Sequence, residues 1–563
     1  MFLKNILNRE SKVIISAALM LGFFSLLSRV LGLLRNRIFA GEFSAGREMD
    51  IYFAAFRIPD LIYNIFIIGA VGAVFIPVFL ERAKKSKKEA MELTATVLNV
   101  FVLCVIFFAL LFALFAPEIM SVLVYGFSQE DIKITVDMTR IMLLGTVFLG
   151  VSSILGNMLQ ANKRFFSYAL APILYNIGII FGALFLVKFF GIFGLALGVV
   201  LGAFMHFLIQ VPPALKLGFK YKLSFNLFDP GLKKMVLLSG PRVAGLLAYQ
   251  LNFIVITAIG SSLAQGSIAV FNFANDLQYI PIGIVALSFV TAVFPFLSES
   301  YAKKNIKEFL GKFYLTVNQI LFLVIPISVF LIFERIQIVR VILGTGQFSW
   351  EDTRLTAAAL GLFALSVFSQ SLVPLFSRAF FAMGDSKTPV FINVSSLLIN
   401  IAFSFYFVGL IKEGGMFAEI LGRFLKVADI SDIAVLGLPL AFSLGSIINF
   451  LSLYFALSHR IKDFNSDKLL YSVNRINISI FFMVIFVYPT LYFMAGLVNM
   501  HTFLGIFLQG MAAFLVGIFV YLGSAYILKI PEFFAFWQAF ALPVKKMFLS
   551  KTYTSQVNGS EKL

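Results

Sequence analysis

The hydrophobic pattern of this chain is a succession of long apolar runs, each closed by a short break rich in polar residues, Gly or Pro. A helix of about 20 apolar residues crosses the hydrocarbon core of a bilayer, and by that measure the pattern predicts about fourteen membrane helices. They fall at 13–35, 50–80, 90–116, 134–160, 166–188, 190–213, 234–260, 266–298, 312–333, 352–383, 388–411, 435–457, 473–497 and 502–529. The longest runs exceed one crossing, so they are expected to tilt, kink or project beyond the bilayer. An outer-membrane barrel would instead alternate apolar and polar residues over strands of about 10 residues. The expected fold class is an all-α polytopic membrane protein.

A weak internal repeat organises these helices. Ala73-Val74-Phe75-Ile76-Pro77-Val78-Phe79-Leu80-Glu81 resembles Ala292-Val293-Phe294-Pro295-Phe296-Leu297-Ser298-Glu299, and each precedes a Lys-rich connection. Gln160-Ala161-Asn162-Lys163 and Phe381-Ala382-Met383-Gly384-Asp385 close corresponding runs. The repeat implies two pseudo-symmetric six-helix lobes, 1–213 and 214–457, then a C-terminal helix pair, 458–529, and a cytoplasmic tail, 530–563. Residues 416–429 carry Phe417, Ile420, Leu421, Phe424, Leu425 and Ala428 at helical spacing, which predicts an amphipathic helix on the outer interface. The aromatic tail, with Phe533, Phe534, Phe536, Trp537 and Phe540 before Lys545 and Lys546, is expected along the cytoplasmic face, and 551–563 as disordered. Prolines within the runs, among them Pro59, Pro172, Pro241, Pro281 and Pro374, supply bends of the kind transporters use.

Composition agrees. The chain is 60% hydrophobic and 13% charged, with a mean hydropathy of +0.95, too apolar for a soluble domain. The net charge of +17 would suit nucleic acid, but Lys and Arg gather in alternate connections, such as Arg82 to Lys88, Lys216 to Lys222 and Lys303 to Lys307. That is the positive-inside pattern, and it places both termini in the cytoplasm. The exception is the first outer connection with Arg35, Arg37 and Arg47, which favours a cavity position for Arg35. The single cysteine, Cys104, excludes an internal disulfide and reads as a small buried hydrophobe. The first run reads as a signal anchor rather than a cleaved leader.

The candidate chemistry lies in the first two runs. Arg29 and Arg35 sit in one apolar segment, and an arginine at the centre of a membrane helix costs about 2.5–3.5 kcal/mol, so such residues face a partner or a wet cavity. Asp50, Arg57 and Asn64 are spaced by seven and share one helical face, with Asp50 expected to orient the arginines of the first run. Asp60 lies one turn from Arg57 and offers either an intrahelical pair or a second cavity group. Guanidinium binds phosphate oxygens bidentately while staying protonated, so this stripe suits a diphosphate. Arg242, after Pro241, and Asp276, after Asn275, form either a structural pair or a second part of the site. Ser28 and Asp60, with Asp276, are candidate modulators. The three histidines, His206, His459 and His501, are isolated and show no metal spacing, and no nucleotide loop or catalytic triad is present. No cofactor is expected; energy would come from a coupling cation, the membrane potential or substrate flux.

At these residues the chain resembles the MurJ/MviN family of lipid II flippases, within a superfamily that includes polysaccharide flippases and multidrug exporters. The resemblance is carried by Ser28-Arg29-Val30-Leu31-Gly32 with Arg35, Asp50, and Ala54-Ala55-Phe56-Arg57-Ile58-Pro59-Asp60-Leu61. Phe75-Ile76-Pro77, Gly156-Asn157-Met158-Leu159-Gln160, Asn176 and Lys387-Thr388-Pro389 extend it over about residues 15–530. The resemblance implies a two-lobed, fourteen-helix fold. It implies translocation of an undecaprenyl-diphosphate-linked disaccharide-pentapeptide from the inner to the outer leaflet of the bacterial cytoplasmic membrane by alternating access. It implies site residues Arg29, Arg35 and Asp50, action as a monomer, and association with cell-wall synthesis proteins. Tyr63, Asn64 and Asp276 stand where many relatives carry arginines, and Arg242 is expected to compensate. Rival readings are a flippase for another polyprenyl-diphosphate-linked glycan, a drug or ion exporter, a non-transporting scaffold, and a membrane glycosyltransferase, for which Glu130-Asp131 is the one adjacent acidic pair near an outer loop.

Overall fold

A computed structural model describes residues 14–538 apart from Ala73, without the side chains of residues 14–19, Ala70, Pro241, Arg242, Ala244, Lys468 and Leu470. Among the described residues all regular structure is helical. In chain order the elements used below are α1 (Ile14–Phe43), α2 (Arg47–Ala55), α3 (Arg57–Ile62), α4 (Phe75–Lys85), α5 (Lys87–Leu114), α6 (Gln129–Ala161), α7 (Phe165–Phe181) and α8 (Phe193–Leu208). They continue as α9 (Pro230–Ser261), α10 (Ser267–Pro281), α11 (Ile306–Phe333), α12 (Lys387–Lys412), α13 (Met416–Leu425), α14 (Gly437–Arg460), α15 (Asp467–Leu497) and α16 (Phe503–Ile527). Among the described residues 11 helices are long and apolar enough to cross a membrane, or up to 13 if each bent pair counts as one span.

The expected second span, 50–80, is not one helix. It runs on through Phe56, winds as a π-helix over Tyr63–Val71, and restarts as α4. In α9 the segments Pro230–Gly240 and Gly245–Ser261 meet at a 53° bend beside Pro241, where the missing N–H breaks the ladder. α13 ends earlier than expected because Lys426 takes a left-handed conformation, φ 62°, and the amides of Lys426 and Val427 return to Arg423 and Gly422. Its Met416, Ile420 and Phe424 are exposed on one side while Leu425 is buried. That two-faced surface suits an interface.

Contacts divide the chain into two compact units. The first comprises the residues up to Asp276 with Ile342–Ala359 and Val390–Gly445; the second comprises Leu277–Val341, Leu360–Pro389 and the residues from Ser446 on. In the first unit α7 and α8 pack backbone to backbone. A Cβ on Gly178 would lie 2.3 Å from the Gly202 Cα, and one on Gly182 would lie 2.5 Å from the Gly198 Cα. Small residues at four-residue spacing permit that approach, which gives membrane helices their van der Waals contact. An apolar core of Phe75, Phe79, Leu93, Phe101, Leu155 and Met235 joins α4, α5, α6 and α9. The adjoining charged connection is knit by Arg82–Asp229 at 3.1 Å and Lys234–Glu81 at 2.6 Å.

In the second unit, residues 531–538 are helical and pack inward rather than only along a face. The Phe536 ring lies 5.9 Å from Phe322 and 6.2 Å from Phe289, and buried Glu532 accepts a hydrogen bond from Ser472 at 3.2 Å. The rest of the aromatic tail, including Phe540, Lys545, Lys546 and 551–563, lies outside the described residues. Just beyond α11, Glu334 is 5% exposed and its Oε1 has no partner. Burial pushes its carboxyl up to about 8.

Two outcomes follow. Gly198→Leu forces a side chain into the α7–α8 contact, and overpacking of this kind costs roughly 1–3 kcal/mol; a lowered Tm in detergent checks it. Glu334 ionises more readily in the unfolded chain than in the fold, so its contribution falls as pH rises from the ordinary carboxyl range to about 8. Glu334→Gln removes that dependence, so its Tm advantage over the parent should be larger at about pH 8 than at about pH 5.

Candidate functional site

The candidate residues lie in the first unit and divide between two cavities. α1 is continuous through both arginines, and their six-residue separation turns them about 120° apart on the helix. They accordingly face different spaces.

The first cavity, of about 300 Å³, is lined by Arg35, Arg57, Asp60, Asn64, Asn272 and Asp276, with aromatic walls from Tyr52, Tyr249 and Phe253. Arg35 donates to Asn36 Oδ1 from Nε at 3.1 Å and from Nη2 at 3.0 Å, and to Asn176 Oδ1 at 3.4 Å. Its Nη2 lies 3.9 Å from Asp276 Oδ2, and Asn36 Nδ2 donates to the same oxygen at 2.9 Å. Arg57 reaches out of its own helix, donating to Thr257 Oγ1 and Asn272 Oδ1 at 2.7 Å each, with its guanidinium 5.3 Å from the Phe253 ring centre. Its hydrogen bonds therefore run to α9 and α10 rather than one turn along to Asp60. The Asp60 carbonyl accepts from Asn64 and from Gln250, both at 2.9 Å, which ties α3 to α9.

The second cavity, of about 640 Å³, opens among α1, α6, α7, α8 and the π-helical Tyr63–Val71. Arg29 lines it with Ser28, Tyr63, Asn157, Gln160 and Tyr168, and no acidic side chain is in its described lining. Arg29 makes no hydrogen bond or ion pair with another described residue. At one wall Ser152 Oγ lies 2.7 Å from His206 Nδ1 and accepts from Gln210 Nε2 at 2.8 Å. Gln210 is 1% exposed and its Oε1 has no partner. Asn176 links the two spaces, accepting from Arg35 and donating to Ser28 Oγ at 3.4 Å.

Asp50 belongs to neither lining. It is 1% exposed, and its two oxygens accept from the Gly266 amide at 2.7 Å and the Ala269 amide at 2.9 Å. It thus caps the start of α10, where free N–H groups and the helix dipole favour a carboxylate. Asp50 keeps the phase of Arg57, since both bond to α10, but it lies two turns earlier, against the backbone start of that helix, so only Arg57 and Asn64 share a cavity. Gly266 is required here: its φ is +86°, and a Cβ would lie 1.7 Å from the Ala45 carbonyl oxygen. The same end of the unit is held by Gln347 N donating to Gly41 O at 2.9 Å and Ser44 donating to Asp352 at 2.5 Å. Arg47 is paired with Asp131 at 3.6 Å and stacked 4.6 Å over Phe127. The side chain of Arg242 lies outside the described residues, and the partners of Asp276 named above are Asn36 and Arg35.

Sequence reasoning missed the partners on α9 and α10. Gln250, Thr257 and Asn272 hold Arg57 and its helix, and their one signal is polar side chains inside apolar runs. Asn36 was hidden by its neighbour Arg35. Ser152, His206 and Gln210 were scattered over two runs that only packing joins.

A bundle of bilayer-length helices that shelters acidic and basic side chains around internal cavities has the build of a membrane transport protein. The fold is shared with a multidrug transporter of the MATE family in an inward-facing conformation, at 15% identity and a TM-score of 0.60 over 78% of this chain and 96% of that one. A family model described as lipid II flippase MurJ matches residues 39–509. A probable lipid II flippase MurJ of Buchnera aphidicola from Acyrthosiphon pisum is 30% identical over 395 residues, 69% of this chain and 76% of its own. The lipid II flippase MurJ of Burkholderia cenocepacia is 27% identical over 71% of this chain and 79% of its own. A solved lipid II flippase MurJ in an inward closed conformation superimposes with a TM-score of 0.71 at 26% identity, over 90% of this chain and 98% of that one. The chain belongs to the MurJ lipid II flippase family.

The Asp50 cap gives a direct expectation. Asp50→Ala leaves two buried amides without acceptors, at roughly 1–3 kcal/mol each. Thermal unfolding should show that loss, and Asp50→Asn, which keeps one acceptor, should recover part of it.

Proposed function

We propose that this chain moves lipid II from the inner to the outer leaflet of the bacterial inner membrane by alternating access. The basic connections support cytoplasmic termini, and with that orientation the contacts joining Gly41, Ser44 and Asp50 to 266–269 and 347–352 are on the outer side and open for release. The observation that carries the reading is Arg29. A guanidinium unpaired among the described residues, in a cavity whose described lining is otherwise neutral, supplies net positive charge, which a diphosphate requires, and its fork binds phosphate oxygens bidentately. Arg35 is partly neutralised by Asp276, so its part in anion binding is smaller. The amide and hydroxyl groups of Ser28, Asn157, Gln160 and Tyr168 suit a sugar or peptide backbone. The polyprenyl tail stays in the bilayer. Transport draws on the membrane potential or a cation gradient.

Tyr63, Asn64 and Asp276 thin the cationic lining and favour, as second reading, a flippase for another polyprenyl-diphosphate-linked glycan. Rescue of a flippase-depleted bacterium, with lipid II counted in each leaflet, separates the two. Full-length protein should restore outer-leaflet lipid II. A charged hydrogen bond contributes about 1.5–3 kcal/mol, so Arg29→Ala should lower the rate roughly 10- to 100-fold. Arg35→Ala should lower it less, and Arg242→Ala tests whether that residue compensates for the missing cations. Good membrane expression without rescue by the parent overturns the lipid II assignment.

A further inference from the structure

The cavity of Arg35 and Arg57 has a charge balance that a diphosphate site would not have. Two guanidiniums and two carboxylates, those of Asp60 and Asp276, line it, and their formal charges sum to zero. An anion entering it meets both aspartates, and a simple cation meets both arginines. Neither sign gains from the field of the whole lining, and in a poorly screened space the unfavourable half is felt strongly. A group carrying both signs on neighbouring atoms avoids this conflict. An α-amino-acid head places its carboxylate on a guanidinium fork and its ammonium on an aspartate. The Phe253 ring lies under the Arg57 guanidinium, and the exposed Tyr249 ring adds a face on which an ammonium is favoured. Its volume of about 300 Å³ lies at the small end of ligand sites, with room for such a head and not for a whole glycan-peptide.

The second cavity complements it. Arg29 is charged and unpaired there, and Asn176 bonds both to Arg35 and to Ser28 at the border of the two spaces. The two spaces adjoin there, and a headgroup that reaches both displaces this bridge. We propose that the Arg35–Arg57–Asp60–Asp276 cavity is a zwitterion subsite, holding the free amino-acid end of a diamino-diacid in the peptide of the lipid-linked precursor. The diphosphate stays at Arg29. This inference rests on the lipid II reading, and it makes Asp60 and Asp276 selectivity residues rather than defects in a cationic site.

The test uses the purified full-length chain in liposomes with leaflet-resolved transport. The substrates are lipid II carrying meso-diaminopimelate and lipid II carrying lysine at the same place in the peptide. A site built to bond a polar group rejects the analogue lacking it, so the diaminopimelate form should move at least about tenfold faster. Asp276→Asn and, independently, Asp60→Asn should shrink that ratio to below about twofold, in protein whose thermal unfolding stays cooperative. Two variants keep the test decisive if one fails to fold. Equal rates for the two lipids in the parent overturn the subsite and leave the flippase standing. Absence of transport for both lipids overturns the flippase reading itself. Inhibition by free meso-diaminopimelate, with no difference between the lipids, assigns the cavity to a soluble amino acid and overturns its assignment to the peptide.

Discussion

An ionised side chain among apolar helices must be bonded, paired or wet, and the architecture of the first unit follows from that requirement. Asp50 is buried and takes two backbone amides. Arg57 is held by a hydroxyl and an amide oxygen from two other helices. Arg47 has a carboxylate and an aromatic face. Among the described residues the Arg29 guanidinium and the Asp60 carboxylate have none of these, and each lines a cavity instead.

Position along each helix decides which groups meet. Asp50 and Arg57 both bond to α10, but Asp50, two turns earlier, meets its backbone start while Arg57 reaches a side chain in the cavity. Where the π-helical segment begins, Tyr63 lines the Arg29 cavity and its neighbour Asn64 the other. The close α7–α8 contact between glycines sets α8 where His206 and Gln210 can reach Ser152 of α6. Irregular backbone of this kind is tolerated in a membrane where it borders protein or a polar cavity, and π-turns commonly mark functional sites.

The relatives' names concern one lipid-linked substrate, and in this chain Asp276 sets a carboxylate 3.9 Å from Arg35, with Asn64 in the same lining and Tyr63 in that of Arg29. The two spaces differ in electrostatic character, one balanced and one carrying an unpaired cation. That contrast permits a headgroup with several charges to be read at more than one place.

The sequence by itself determined the helical membrane class, because apolar runs of bilayer length admit no other packing of the backbone polar groups. Its local motifs also marked Arg29, Arg35 and Arg57 as costly residues in need of a setting. Which setting each received was decided by tertiary structure alone. Helical phase predicts the shared face of Asp50 and Arg57, but not that one meets the backbone start of α10 and the other a cavity. The partners of Arg57 are 200 and 215 residues away in the chain, and those of Asp50 are 216 and 219 away. Such pairings depend on how α9 and α10 pack against α2 and α3, which periodicity within a single run does not encode.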